Sequence, residues 1–272
     1  MPAAPAIKLF LADVDGTLVT EKKVLTERAV AAVRRMEAAG IRFAVTSGRP
    51  PRGMAMLVGP LKLNGVIAGF NGGVFVNPDG SVVLSRTLDA GAARRAYDAI
   101  RDHGLDAWVY TAEDWLIRDP AAPHVDRESH TVQFGPKVVP DPAVGLGAAV
   151  KIVGCSDDLD LVKRCEADVQ AALGRTVSAA RSQPYYLDVT HPEANKGAVV
   201  AYLADHYGIA PHEIATIGDM PNDVLMFRPS GLSIAMGQAS QEVRDAATHV
   251  TDGYNDEGFA KAVDRFIFGE GG

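Results

Sequence analysis

The segment Asp13-Val-Asp-Gly-Thr-Leu18 directly follows a short apolar run, 7–12, that reads Ile-Lys-Leu-Phe-Leu-Ala. A run of this composition is typical of a β-strand that is covered on both faces, as the strands of parallel sheets are. Asp13 and Asp15 alternate around a valine, so on an extended backbone both carboxylates project to the same side, and Gly16 allows a sharp turn after them. The segment therefore predicts a buried strand that delivers two carboxylates to the carboxyl edge of a sheet.

Strands and helices alternate after this segment, and the same order returns near the C-terminus. The hydrophobic periodicity predicts helices over 26–39, 196–207 and 258–268, and strands over 41–46, 65–69, 214–217, 231–235 and 249–250. Such alternation with short connections is typical of a parallel sheet with right-handed crossovers, whose ligands bind at the carboxyl ends of the strands. The predicted fold class is α/β, with a Rossmann-like, doubly wound parallel sheet as the core.

The middle of the chain has a different pattern. Turn residues between short apolar runs predict hairpins over 74–84 and 108–117, and the periodicity predicts helices over 89–103 and 157–173 and strands over 150–153, 177–180 and 185–189. We interpret 85–187 as an inserted α+β domain, with 1–84 and 188–272 together forming the core. The proline-rich stretch 120–142 is predicted to be an irregular loop.

The composition excludes several classes of protein. The chain has 272 residues, of which 47% are hydrophobic and 22% charged, which is the composition of a folded globular protein with one large or two modest domains. Its formal net charge of −7 and its lack of a basic block argue against non-specific nucleic-acid binding. Any anionic ligand must therefore be held by a local arrangement of groups.

The two cysteines and the N-terminus indicate the compartment. Cys155 and Cys165 have no histidine or further cysteine at ligand spacing, so we expect small buried side chains rather than a zinc site or a disulfide. There is no basic N-terminal region before an apolar run, and no apolar run long enough to cross a bilayer. We expect a cytoplasmic protein without a membrane partner, and the sequence leaves its oligomeric state open.

Four further groups of polar residues follow predicted strands or precede a predicted helix. They are Ser47-Gly-Arg49, Asn71-Gly72-Gly73, Asn195-Lys196-Gly197, and Gly218-Asp219 with Asn222-Asp223. A serine hydroxyl suits a phosphoryl oxygen, and glycines allow a ligand to approach the backbone, although simple turns explain both equally well. A lysine at the start of a helix opposes the helix dipole, so either a bound anion or solvent must offset its charge.

The paired acids indicate a hard divalent cation. Like charges at one place favour a shared proton or a bound cation. A calcium loop is excluded because position 24, twelfth from Asp13, is valine rather than glutamate. Mg²⁺ takes oxygen ligands and keeps several waters, so Asp13, Asp219 and a backbone carbonyl would be sufficient beside a phosphate.

These motifs resemble those of the haloacid dehalogenase superfamily, in particular its Cof-type, sugar-phosphatase-like branch with a large α/β cap. The segments 13–18, 47–49, 196–197 and 218–223 are similar to its first to fourth motifs, and the long interval between the second and third is similar to its cap insertion. The resemblance implies a phosphoric monoester hydrolase that uses Mg²⁺ and acts on a small phosphorylated metabolite.

The resemblance also implies a role for each matching position. Asp13 would be the nucleophile that forms an aspartyl-phosphate, Asp15 the general acid and base, and Ser47 and Lys196 the groups that hold the phosphoryl oxygens. The implied metal site comprises Asp13, the carbonyl of Asp15, and Asp219, with Asn222 and Asp223 positioning a metal-bound water or Lys196. Substrate contacts are expected from Arg49, Asn71, Gly72 and Asn195.

Two other functions use related chemistry. A phosphomutase of the phosphomannomutase kind would form the same aspartyl-phosphate but return the phosphoryl group to an isomer, and a phosphoacceptor signalling module would pair acids, a metal and a lysine on a shorter chain without an insert. Within the cap, candidates for reading the rest of the substrate are Arg118, His124, Arg127, His130 and Arg181. Trp108 and Trp115 are predicted to be packing residues.

Overall fold

The computed structural model describes residues 6–270 of the chain. Its strands are β1 (Leu9–Asp13), β2 (Arg42–Thr46), β3 (Ile67–Gly69), β4 (Val74–Val76), β5 (Val82–Ser85), β6 (Asp106–Tyr110), β7 (Trp115–Ile117), β8 (Lys137–Val138), β9 (Lys151–Cys155), β10 (Ser178–Gln183), β11 (Tyr186–Thr190), β12 (Ile214–Gly218), β13 (Leu232–Ala235) and β14 (His249–Val250). Its helices are α1 (Glu27–Ala38), α2 (Val58–Leu61), α3 (Ala90–Asp102), α4 (Val125–Val132), α5 (Leu159–Leu173), α6 (Lys196–Tyr207), α7 (Val224–Phe227), α8 (Gln241–Ala246) and α9 (Gly258–Ala262).

The core is one sheet with the strand order β14-β13-β12-β1-β2-β3-β4-β5. β1 lies between β2 and β12 and pairs with both in parallel, which places the ends of three strands from distant parts of the chain side by side. Every residue of β1 is buried, and alternate residues pack on opposite faces: Phe10 against the side of α1, and Leu9 and Leu11 against the side of α6. The predicted α/β class and the doubly wound core are confirmed.

The predicted hairpin over 74–84 extends this sheet. β4 pairs with β3 in antiparallel fashion, and β5 pairs with β4, so both add to the edge of the parallel sheet. The predicted helix over 26–39 is α1, and the Thr26 hydroxyl caps it by accepting from the amide of Ala29 at 3.1 Å. The third core strand, predicted over 65–69, begins at Ile67.

The second sheet has the order β10-β11-β9-β6-β7-β8 and is antiparallel apart from the pair β7 and β8. Helices α3 and α5 cover one face through an apolar cluster that includes Ala93, Ile100, Val162 and Val169. β11 pairs with β9 as far as Thr190, so the last residues of this strand belong to the second sheet, whereas the predicted core segment 188–272 includes them. We propose that the two units divide after β5 and after β11.

The stretch 120–142 was predicted to be an irregular loop, and this prediction is wrong. It contains α4 and β8. Only Val125 and Val132 of α4 are buried, seven positions apart, so the helix carries too little apolar periodicity to stand out among prolines and polar residues.

The second sheet sits over the carboxyl ends of the core strands, and α4 contacts the core directly. Val132 of α4 packs beside Gly53 in the 3₁₀ segment Pro51–Leu57, and the Phe70 and Tyr110 rings meet edge to face with their centroids 5.5 Å apart. We call the second unit the cap from here on. Its contact with the core encloses a cavity at the sheet edge where the predicted site residues lie.

Cys155 and Cys165 are buried and free, as expected. Between residues 6 and 270, none of the helices combines the length and the apolar character that a bilayer crossing demands.

Candidate active site

A cavity of about 370 Å³ lies at the carboxyl ends of β1 and β2, between the core and the cap. Asp13, Ser47 and Lys196 line it from the core, and Lys151 and Asp188 line it from the cap. Ligands of doubly wound sheets bind at this edge, because the crossover loops leave a crevice there. Residues from each of the predicted core motifs therefore meet at one cavity.

Asp13 and Lys196 form a buried ion pair at the floor of the cavity. Nζ of Lys196 lies 2.6 Å from Oδ1 of Asp13 and 2.5 Å from Oδ1 of Asp223. Burial lowers the pKa of Lys196, but the charges of Asp13 and Asp223 outweigh it, so the pKa lies above its usual value and the ammonium is retained. The cation at the first position of α6 is thus offset by two carboxylates.

Asp223 organises the loop after β12. Its Oδ2 accepts hydrogen bonds from the backbone amides of Asp219 and Met220 at 2.9 and 2.8 Å. A Cβ on Gly218 would stand 2.5 Å from the Cβ of Asp223, so the glycine is needed for this close approach. One oxygen of Asp223 is bound by Lys196 and the other by the amides of the loop. To make both contacts Asp223 must lie close to the backbone of Gly218, which explains why the motif has glycine and aspartate five residues apart.

Three carboxylates meet beside the cavity. Oxygens of Asp13, Asp219 and Asp223 lie within 4.8 Å of one another. Burial, followed by the charge of Asp223, raises the pKa of Asp219 to about 6. Burial, followed by the charges of Asp223 and Asp219, also raises the pKa of Asp13 in spite of Lys196. A divalent cation would remove this penalty, and an all-oxygen donor set fits Mg²⁺.

Gly16 shapes the same place. Its φ is +80°, and a Cβ there would stand 2.5 Å from Oδ2 of Asp219, so both the conformation and the space call for glycine. Asp219 is held by the Thr17 hydroxyl, which donates to its Oδ1 at 3.3 Å, and by the Gln238 amide, which donates to its Oδ2 at 3.4 Å. These two hydrogen bonds therefore hold the Asp219 carboxylate beside that of Asp13.

Asp15 is held by two cations. Nε and Nη2 of Arg49 donate to its two oxygens at 2.7 and 2.6 Å, and Nζ of Lys23 donates to Oδ1 at 2.5 Å. Burial raises the pKa of Asp15, but the hydrogen bonds and charges of Arg49 and Lys23 outweigh it and hold the pKa below its usual value. Arg49 was predicted to contact substrate. Its guanidinium is buried and is occupied by Asp15 and by the carbonyl of Gly53.

Ser47, Asn71 and Asn222 line the cavity. The Ser47 hydroxyl accepts from the amide of Arg49 at 3.1 Å, which leaves its own proton free to donate. Nδ2 of Asn222 donates to Oδ1 of Asn71 at 3.3 Å, so these two side chains form one polar edge.

Gly72 and Asn195, which are predicted to contact substrate, are not among the residues between 6 and 270 that line the cavity. A Cβ on Gly72 would stand 2.6 Å from Val199, and its carbonyl accepts from Arg86, so this glycine allows α6 to pack closely. Oδ1 of Asn195 accepts from the amide of Ala198 at 2.9 Å and caps α6. Both residues support the helix that carries Lys196.

Comparisons with known proteins agree with this geometry. A sequence profile of the haloacid dehalogenase-like hydrolases matches residues 10–263. The chain belongs to the haloacid dehalogenase-like hydrolases. This membership confirms the predicted family and its Cof-type branch, and, with relatives that are named phosphatases, the predicted class of phosphoric monoester hydrolase.

Individual relatives match nearly the whole chain. The 5-amino-6-(5-phospho-D-ribitylamino)uracil phosphatase YwtE of Bacillus subtilis (strain 168) is 27% identical over 289 aligned positions, which cover 97% of this chain and 99% of the relative. The crystal structure of a haloacid dehalogenase-like hydrolase from Bacteroides thetaiotaomicron is 26% identical with a TM-score of 0.88, covering 95% of this chain and 99% of that one. The subclass IIB sugar phosphatase BT4131 shares the fold, with a TM-score of 0.80 at 20% identity over 95% of this chain and 98% of that one.

Of the five cap residues that were candidates for reading the rest of the substrate, one lines the cavity of this haloacid dehalogenase-like hydrolase. That residue is Arg127. Arg181 pairs with Glu166 at 2.8 Å and His124 with Asp157 at 2.9 Å, while Arg118 and His130 are exposed. Trp108 and Trp115 are buried and pack against each other with their ring centroids 5.2 Å apart, as predicted.

Four charged residues of the cavity were missed in the sequence: Lys23, Glu128, Lys151 and Asp188. The last two had a signal. Lys151 stands before the buried residues Ile152 and Val153, and Asp188 stands between the buried residues Leu187 and Val189. A charge within an otherwise buried strand requires a partner or a ligand, so a search for such interruptions would have found both.

Proposed function

We propose that the protein is a Mg²⁺-dependent phosphatase that hydrolyses a small phosphorylated metabolite, such as a sugar phosphate, through an aspartyl-phosphate on Asp13. The observation that carries the proposal is the cluster of Asp13, Lys196, Asp219 and Asp223, in which Asp13 and Lys196 line the cavity between the core and the cap and the other two carboxylates lie beside them. We also propose a cytoplasmic location, which the two buried free cysteines support.

Asp13 is the proposed nucleophile. One of its carboxylate oxygens attacks phosphorus, the bond from phosphorus to the leaving oxygen breaks, and the aspartyl-phosphate forms. Lys196 and the Ser47 hydroxyl donate to the phosphoryl oxygens and stabilise their charge in the transition state. Water then attacks the same phosphorus, which releases inorganic phosphate and restores the Asp13 carboxylate.

Asp15 is the proposed general acid and base. It would give a proton to the leaving oxygen and later take one from the attacking water. Two cations hold Asp15 in its ionised form in this structure, so it must first take up a proton and give up part of its contact with Arg49 or Lys23. We therefore assign Arg49 and Lys23 as residues that position Asp15.

Asp13, Asp219 and the carbonyl of Asp15 are the proposed ligands of Mg²⁺, which would neutralise phosphate charge when bound. Asp223 would keep Lys196 and the loop that carries Asp219 in place, and Asn222 would orient water near the ion.

The test uses the full chain with p-nitrophenyl phosphate. Asp13→Asn is expected to lower kcat by about 10³-fold or more, because the nucleophile is lost. Excess EDTA is expected to stop the wild-type reaction and Mg²⁺ to restore it. The matched control is Asp79→Asn, in the exposed turn between β4 and β5, which should leave the rate unchanged.

Each outcome has a clear consequence. Retention of most of the rate in Asp13→Asn would remove Asp13 from the proposed role, and full activity in excess EDTA would contradict the metal. Accumulation of an isomer of a sugar phosphate instead of inorganic phosphate would favour the phosphomutase alternative.

A further inference from the structure

Lys151 and Asp188 form an ion pair in the cap wall of the cavity. Nζ of Lys151 lies 2.7 Å from Oδ2 of Asp188, and the two side chains are 12% and 18% exposed. They stand on the neighbouring antiparallel strands β9 and β11, where Lys151 lies opposite Thr190 and Asp188 opposite Val153. The pair is thus carried by a rigid sheet rather than by a loop.

The pair is incomplete without a further group. Oδ1 of Asp188 is buried and has no hydrogen-bond partner among residues 6–270. A buried acceptor without a donor costs about 1–3 kcal/mol, and a buried ion pair by itself adds little to stability. A ligand whose donor enters the cavity would satisfy this oxygen. Ligand binding therefore explains the presence of the pair better than a contribution to the stability of the fold does.

The neighbouring side chains determine the charge of that ligand. Glu128 of α4 also lines the cavity, and its Oε1 accepts from the Tyr110 hydroxyl at 2.7 Å. Lys151 therefore shares this wall with two carboxyl groups, that of Asp188 and that of Glu128. Arg127, the other cation of this wall, is exposed and stacks its guanidinium 5.3 Å from the ring centroid of Tyr185.

We infer that Lys151 and Asp188 are specificity-determining residues that bind a neutral, hydroxyl-bearing leaving group and disfavour one that carries a second phosphate or a carboxylate. Asp188 accepts from a hydroxyl through Oδ1, and Lys151 donates to a neighbouring oxygen. A second anion at this place would meet Asp188 and Glu128, whose charges offset the attraction of Lys151. This inference rests on the proposed phosphatase function.

The test compares esters in matched pairs. Glycerol 3-phosphate is paired with 3-phosphoglycerate, and glucitol 6-phosphate with 6-phosphogluconate, so that within each pair a carboxylate replaces one CH₂OH group. The wild type is expected to prefer the neutral member by about tenfold or more in kcat/KM, which is about 1.4 kcal/mol. Asp188→Asn is expected to reduce this preference to less than about threefold, since the repelling charge is lost.

A second variant keeps the inference testable if Asp188→Asn does not fold. Lys151→Met is expected to lower kcat/KM for the neutral esters about tenfold relative to p-nitrophenyl phosphate, mainly through KM, and Lys151→Arg to recover part of the loss. The matched control is Lys137→Met, an exposed lysine of the same cap that pairs with Asp114 at 3.3 Å, which should leave the preference unchanged. Circular dichroism checks that each variant folds.

The outcomes separate the two proposals. If the wild type with Mg²⁺ does not hydrolyse p-nitrophenyl phosphate, the proposed function fails and the inference fails with it. If it hydrolyses that ester but shows no preference for neutral partners, or prefers the carboxylated ones, the inference alone is overturned. The inference is also overturned if Asp188→Asn and Lys137→Met change the preference for neutral esters equally. It is overturned as well if Arg127→Gln by itself abolishes that preference.

Discussion

The ammonium of Lys196 lies 2.6 Å from the carboxylate of Asp13 although 183 positions of sequence separate the two residues. The parallel pairing of β1 with β12 places the loop of Asp223 next to the end of β1, and the N-terminus of α6 points into the same corner. A lysine at a helix N-terminus is unfavourable by itself because it faces the positive end of the helix dipole. The two carboxylates offset that cost and hold the ammonium at the wall of the cavity.

Replacement of this lysine tests the arrangement. Lys196→Met is expected to lower kcat/KM for p-nitrophenyl phosphate about 10²- to 10³-fold, because a preorganised hydrogen-bond donor is lost. It also leaves Asp13 and Asp223 buried without a cation, which is expected to destabilise the fold by about 3–5 kcal/mol at pH 7. Kinetics and urea unfolding measure the two effects.

Lys8→Met is the matched control for that variant. Lys8 pairs with Glu213 at 2.8 Å, but its side chain is 53% exposed. We expect kcat/KM to stay unchanged and the free energy of unfolding to fall by less than about 1 kcal/mol. A Lys196→Met enzyme as active and as stable as this control would contradict the role of the buried ammonium.

The core of the site could be predicted from the sequence because each of its parts lies at a strand end or a helix start. Asp13 is the last residue of a buried strand, Ser47 and Asp219 each follow one, and parallel pairing brings the carboxyl ends of such strands together. No contact between their side chains had to be known in advance. Lys196, at the start of α6, had a signal of its own in the unfavourable dipole.

The partners of individual side chains could not be predicted in this way. The guanidinium of Arg49 lines the cavity and pairs with Asp15. This pairing could not be predicted because Lys23 and Arg49 approach Asp15 through turns whose geometry leaves no periodic pattern. The wall formed by Lys151 and Asp188 depends on the register of two antiparallel strands far apart in the sequence. Local patterns indicate that such residues need partners, but the register decides which partners they meet.

We expect the stability of the cap to depend on pH through His103. Its Nδ1 faces the carbonyl of Ala99 and its Nε2 faces a carboxylate oxygen of Asp168, both at 2.8 Å, so only the doubly protonated ring can donate to both acceptors. The hydrogen bond to Ala99 and then that to Asp168 raise the pKa of His103 above its usual value. The stabilisation is therefore complete below the unfolded pKa of about 6.5 and is lost as the pH rises through the folded pKa.

Urea unfolding of the wild type and His103→Gln at two pH values measures this effect. At pH 5.5 the variant is expected to be less stable by up to about 1 kcal/mol, in part because His103 caps the C-terminal end of α3, where a cation is favourable. At pH 8.5 the difference should shrink. His130→Gln, at an exposed position of α4, is the control, and a difference between wild type and His103→Gln that grows with pH would contradict the assignment.

The contact between Gly53 and Val132 offers a test of whether the packing of the cap against the core sets substrate binding. A Cβ on Gly53 would stand 2.7 Å from the carbonyl oxygen of Val132, so Gly53→Ala forces α4 away from the core. Because Arg127, Glu128 and Val132 of α4 line the cavity, the wall must move with it. Crowding of this kind costs about 1–3 kcal/mol, and a cap that opens to relieve it reduces the fraction of enzyme competent to bind.

The expected result for Gly53→Ala is a KM for p-nitrophenyl phosphate that rises about tenfold, with a smaller change in kcat, since about 1.4 kcal/mol of the closed state is lost. Gly59→Ala is the matched control, because a Cβ on Gly59 meets nothing within 4 Å. Small-angle X-ray scattering should report a larger radius of gyration for Gly53→Ala than for Gly59→Ala. Equal KM values and equal radii in the two variants would mean that this contact does not hold the cap in its closed position.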